Sequence, residues 1–213
     1  MNKTFQYSPV EEKLNAATHF LGIFFSLYVL ITLSTKAAPL GLVAVSSYII
    51  FGLSMVTMFT CSTVYHLEKR EKRKLFMKKL DHMAIFILIA GSITPFLLVN
   101  LNTQKGLWFC VFIWSFALGG IIFKILGKKE RRKLSLFFYL SMGWSALFIA
   151  PDLKPVIPPE SLEFIIYGGL SYSVGVIFYV KKKLPHHHMI WHLFVMGGTY
   201  FHYLAVKVAH PIQ

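Results

Sequence analysis

A chain of 213 residues is long enough for one domain, but 55% hydrophobic residues against 15% charged ones lies outside the composition of soluble domains. A formal charge of +13 would suit nucleic acid if it formed one face or one tail. The cations sit instead in short connections between long apolar runs, which sets nucleic acid aside and makes the charge a topology signal.

Crossing a ~30 Å hydrocarbon core takes ~20 apolar residues as a helix. Seven runs qualify, Ala16–Ser34, Leu40–Val64, Met83–Val99, Leu107–Ile125, Leu134–Ala150, Leu162–Val180 and Ile190–Val206. The expected fold is all-α, a single polytopic domain over residues 1–213 built as a seven-helix transmembrane bundle. Glu11 and Glu12 stand where a cleaved signal would have basic residues, so the first span is read as retained, despite the small pair Ala37–Ala38 behind it. Glu12, Asn15 and His19 recur at helical intervals at the start of that span. They cap and pack its first turn, or they reach a site, with His19 as the candidate for a supporting role there.

Ser62 and His66 close the second span four residues apart, on one helical face. Lys69, Arg70, Lys72, Arg73, Lys74, Lys78 and Lys79 follow, and Asp81 opens the third span, in which Pro95 predicts a kink. Cys61 and Cys110 fall at different depths of spans two and four, which predicts free thiols. A second basic loop holds Lys128, Lys129, Arg131, Arg132 and Lys133, and the short fifth span carries Gly143, a second expected bend. Pro155, Pro158 and Pro159 mark a loop, and the pairs Gly119–Gly120, Gly168–Gly169 and Gly197–Gly198 suit close helix packing.

Lys181, Lys182 and Lys183 precede the seventh span, where His188 and His192 stand four apart. Loops carrying only Lys36, Lys105 and Lys154 face outward, so the N-terminus is cytoplasmic, the C-terminus outside, and the membrane the cell inner (plasma) membrane. The basic loops then touch anionic membrane lipids. This topology brings Ser62, His66, Asp81, His188 and His192 to one cytoplasmic depth on three helices. His66, His188 and His192 make the three-nitrogen set of a catalytic zinc site with one open position. Asp81 is a general base or an orienting carboxylate, or else an N-cap of its helix, and Ser62 can donate to a substrate carbonyl. His186 and His187 read as solvated loop, and His82, His202 and His210 as bystanders.

The run from Glu11 to Gly22, with Asn15, Thr18 and His19, resembles the opening signature of the hemolysin III family. Ser62-x-x-x-His66, Asp81 and His188-x-x-x-His192 resemble the pattern of the wider progestin and adiponectin receptor superfamily, shared by adiponectin receptors and alkaline ceramidases. The resemblance implies zinc near the cytoplasmic face, held by the three histidines with Asp81 close by. It also implies a zinc-dependent hydrolase of a lipid-like amide or ester. Two alternatives stay open at this point: a membrane-active cytolytic protein, or a receptor or regulator of membrane state with structural zinc.

Overall fold

Ser8 starts the first helix with a reciprocal cap, its hydroxyl accepting from the Glu11 amide at 3.2 Å while the Glu11 carboxylate accepts from the Ser8 amide at 3.0 Å. With Pro9 at the first helical position, helix α1 runs Pro9–Lys36. The computed structural model describes residues 7–127 and 131–209; Lys128, Lys129 and His210 lie outside the described residues. Further along stand α2 (Leu42–Leu67), α3 (Glu71–Pro95), α4 (Gln104–Leu126), α5 (Arg132–Trp144), α6 (Ala150–Leu153), α7 (Pro159–Val180) and α8 (His187–Ala209). No strand occurs among the described residues, as an all-α polytopic chain requires.

Five helices are long and apolar enough to cross a membrane: α1, α2, α3 with its extension to Leu101, α4 and α7. Helix α8 is as long as α4, at 23 residues, but carries His187, His188, His192 and His202. The seven longer helices form a ring, each packing on its neighbour, with α8 closing back on α1. The ring is apolar outside as well as inside. Phe20, Phe24 and Ile31 of α1, Trp108, Phe112 and Ile122 of α4 and Leu170 and Ile177 of α7 are all exposed. Such a surface belongs in hydrocarbon, where each helix satisfies its own backbone. Interior hydroxyls do likewise: Ser26 donates to the Ile23 carbonyl, Thr94 to Ala90 and Thr199 to Val195.

Helix α3 begins well before the expected Met83, because the Lys- and Arg-rich stretch after Arg70 favours helix although it is too polar for hydropathy to count. Asp81 is therefore mid-helix and caps nothing. At Pro95, where a kink is expected, the α-helix gives way to a π-helical segment, Phe96–Leu101, that ends at Asn102 with φ 41°. Near Gly143, the other site of an expected bend, the α-helix is interrupted. Helix α5 stops at Trp144 after 13 residues, about 20 Å, and a 3-10 turn, Ser145–Phe148, leads into α6.

Helices α1 to α4 share a dense core around Val29, Tyr48, Phe51, Phe59, Phe86 and Ile113. Gly52 is obligatory there, since a Cβ on it would lie 2.7 Å from the Leu30 Cα. One glycine of each expected pair sits at a tight contact: Gly120 faces the Phe86 ring, Gly168 faces His202, and Gly198 faces Tyr172. On the other side of the ring α5 buries only Ser135 and Met142. A cavity of about 480 Å³ remains between α3, α5, α7 and α8, lined largely by apolar side chains.

Candidate metal centre

His66 lies near the end of α2 and His188 and His192 in the first turns of α8, all three buried. One ligating nitrogen from each lies within 4.8 Å of the other two. The ring centroids form a near-regular triangle, with sides of 5.1 Å from His66 to each partner and 4.5 Å between His188 and His192. The i, i+4 relation read from the sequence does this on α8, and the packing of α8 beside α1 brings it within reach of α2.

Two of the imidazoles are aimed by the nitrogen that faces away. His192 Nδ1 lies 3.0 Å from the Asn15 carbonyl oxygen, which can only accept, so Nδ1 carries the proton and Nε2 keeps its lone pair. His66 Nδ1 lies 2.6 Å from Glu12 Oε2, which holds the same tautomer. His66 Nε2 and both nitrogens of His188 are buried without a hydrogen-bonding partner. Orphaned lone pairs converging inside a membrane protein are costly unless something electrophilic joins them. The donor set, three imidazoles with carboxylate and carbonyl anchors behind two of them, fits a divalent metal of the zinc type.

Glu12 was the residue whose direction the sequence left open. Its neighbour Glu11 does the capping, while Glu12 turns inward and joins His66 to Lys74, whose Nζ is 3.0 Å from Glu12 Oε1. Lys74 is only 2% exposed and donates to the carbonyls of Tyr65 at 3.1 Å and Glu68 at 3.3 Å. In sequence it is one more loop cation; in the fold it is the buried counter-ion of the Glu12–His66 pair. The turn that carries it is held by Glu68, which accepts from the Arg70 amide and guanidinium, and these bonds pull its carboxyl down to about 2.

The other candidates are placed as follows. His19 is buried and stacks on the His192 ring at 3.5 Å, with its edge towards Phe59. It backs the triangle by ring contact rather than by joining the converging nitrogens. Ser62 and Asp81 both line the cavity beside the triangle; the Ser62 hydroxyl is buried with no hydrogen-bonding partner, and His66 lies in electrostatic range of the Asp81 carboxylate. Asp81 stands outside the set of converging ligand atoms. His82 faces Lys124, and His202 lies deeper in the cavity against Tyr172.

His187, expected in a solvated loop, is buried. The left-handed turn at His186, φ 53°, starts α8 one residue later, and His187 Nδ1 donates to the Phe178 carbonyl at 3.2 Å. Tyr7 lies over the triangle, its ring stacked on His188 at 4.8 Å and 25°, and burial pushes its phenol up. No spacing signalled Tyr7, because it precedes the first helix. Arg132 also lines the cavity, a role hidden among the loop cations.

Residues 7–203 match the protein family described as haemolysin-III related. The chain is 43% identical over 190 residues to the hemolysin-3 homolog of Bacillus subtilis, covering 89% of each chain. It is 39% identical to hemolysin-3 of Bacillus cereus, over 92% of this chain and 90% of that one. It is 33% identical to the human monocyte to macrophage differentiation factor, over 74% of this chain and 67% of that one. Glu12, His66, Asp81 and the α8 histidines all fall within the matched stretch of the family.

Proposed function

The chain belongs to the haemolysin-III-related family of membrane proteins, and from that premise we propose that it is a zinc-dependent hydrolase of a lipid-like amide or ester. The observation that carries this reading is the triangle of His66, His188 and His192, with two imidazoles fixed from behind, at the side of an apolar cavity. Seven spans with a cytoplasmic N-terminus, an external C-terminus and residence in the plasma membrane complete the proposal, with the histidines near the inner face. Membrane lipids surround the chain and supply the substrate.

Zinc held by the three imidazoles would lower the pKa of water towards ~7 and polarise a carbonyl. The chain's own residues supply the rest. The cavity holds an acyl chain and keeps bulk water from it. Ser62 donates a hydrogen bond to the substrate carbonyl oxygen, and Asp81 takes a proton from the attacking water. The water oxygen bonds to the acyl carbon, the C–N or C–O bond breaks, and Asp81 returns the proton to the leaving nitrogen or oxygen. A carboxylic acid and an amine or alcohol result. Glu12 and Asn15 keep two imidazoles turned inward throughout.

Hydrolysis of fluorogenic acyl amides and esters by purified protein in detergent tests the proposal. The account expects turnover in wild type, none in His192→Ala, and a loss of about 10²–10⁴ in kcat for Asp81→Asn with metal still bound. Wild-type protein that holds zinc and cleaves neither class would overturn it. The name hemolysin-3 of the Bacillus cereus relative points to cytolysis as a second reading. Dye release from liposomes, independent of His192, would favour that reading.

A further inference from the structure

At the end of the bundle away from the histidine triangle, the C-terminal halves of α1 and α8 enclose a groove of about 400 Å³. Leu33 and Val208 give it an apolar lining, and Tyr28 and Tyr203 meet in it edge to face, with ring centroids 6.2 Å apart. Lys36 and Lys207 bring one cation to it from each helix. The Lys207 Nζ stands over the Tyr203 ring, 6.0 Å from the centroid, so this charge is turned towards the groove. Among the described residues neither lysine is paired with a carboxylate, whereas Lys105, at the same end of the bundle, is paired with Asp152. No carboxylate lines the groove among those residues either.

Two unpaired cations at one groove repel each other unless an anion joins them. The bias that gathers lysine and arginine in the loops at the histidine end does not account for them, because they stand at the other end. An ammonium is a compact point charge suited to phosphate, and two of them suit a phosphodiester with a net negative head better than a choline head, which would add a third cation. What surrounds the groove says where that phosphate comes from. Phe24, Leu27 and Ile31 of α1 and Tyr200 of α8 are exposed on the same two helices. They offer an apolar wall to acyl chains, and inorganic phosphate would leave that wall unused.

We propose that Lys36 and Lys207, with Tyr28 and Tyr203, form a binding site for an anionic phospholipid at the opposite end of the α1–α8 seam from the histidine triangle. The phosphodiester lies between the two ammonium groups and the acyl chains run along the exposed apolar side chains of α1. The lipid bridges α1 and α8 and so braces the seam at which the ring closes. Neither the metal nor the hydrolase reading enters this proposal.

Native mass spectrometry tests it, on detergent-solubilised full-length protein titrated with equal amounts of dioleoyl phosphatidylglycerol and dioleoyl phosphatidylcholine. The basic loops at the histidine end also attract anionic lipid, so the readout is the difference between variants. Wild type should retain one phosphatidylglycerol in preference to phosphatidylcholine. Lys36→Gln and Lys207→Gln should each weaken that first binding step about fivefold, the contribution of one lysine near a lipid headgroup. The charge-preserving Lys36→Arg/Lys207→Arg should keep it. Lys154→Gln removes the same charge at the same end of the bundle but outside the groove, and should leave the step unchanged. Phosphatidylglycerol should also raise the melting temperature of wild type more than that of Lys36→Gln/Lys207→Gln, and inorganic phosphate should neither displace the lipid nor reproduce the shift. Equal retention of the two lipids by wild type, or unaltered retention by Lys36→Gln/Lys207→Gln, would overturn the site. Weakening of the same size in Lys154→Gln would reduce it to general surface attraction, and displacement by inorganic phosphate would make it a free-anion site; either result overturns the proposal.

Discussion

At the scale of single residues the site depends on what stands behind the imidazoles. Glu12 holds His66 at 2.6 Å and is itself held by a buried lysine. Glu12→Gln keeps the shape of that contact but removes the charge, and anchors of this kind are worth ~10–100-fold in metal affinity. Competition with a chromophoric chelator should show such a loss, with helix content unchanged by circular dichroism. Unaltered affinity would reduce Glu12 to a packing residue. His19 is predicted to act differently, because it touches His192 through its face. His19→Phe, which preserves a stacked ring, should retain metal, and His19→Ala should bind it more weakly. The sequence already spaced Glu12, Asn15 and His19 on one face, but which glutamate caps and which turns inward depends on Lys74, a residue indistinguishable in sequence from its basic neighbours.

At the scale of helices, apolar length located the long helices, five of them long and apolar enough to cross a membrane, and polar punctuation located their ends less well. Helix α3 starts at Glu71 because charged residues extend a helix beyond lipid, and α8 starts at His187 because a left-handed His186 turns the chain inward. Neither boundary has a hydropathy signature. Spacing did carry Ser62 with His66 and His188 with His192, since i, i+4 on a helix is geometry that needs no partner. It could not carry Tyr7 or Arg132, whose positions depend on how α5, α7 and the N-terminal segment meet. The α1–α2 contact is the tightest test of the packing. Gly52→Ala sets a Cβ 2.7 Å from the Leu30 Cα, and overpacking of this kind costs about 1–3 kcal/mol. Thermal unfolding in detergent should shift down by several degrees for Gly52→Ala and stay put for Gly119→Ala, which has open space around it. Equal melting of the two variants would contradict the described approach of α1 and α2.

For the whole molecule, the same arrangement joins fold and site. The ring closes where α8 meets α1, and the histidine triangle with its anchors spans that closure, drawing on α1, α2 and α8. Metal should therefore stabilise the fold as well as serve chemistry. Chelation is expected to lower the melting temperature of wild type and to leave His188→Ala/His192→Ala unmoved. Topology is tested by single-cysteine labelling from the outside of intact cells. Lys154→Cys should react with an impermeant maleimide and Lys182→Cys only after lysis, and the reverse pattern would invert the bundle and place the histidines at the outer face.

The claim on which the rest depends is that His66, His188 and His192 hold one metal ion. Elemental analysis of protein purified with a histidine-free tag tests it directly, on wild type and on His188→Ala/His192→Ala. The account predicts about one zinc per chain in wild type and none in the double variant. Well-folded wild type with no bound metal, or a double variant that keeps its zinc, would contradict it.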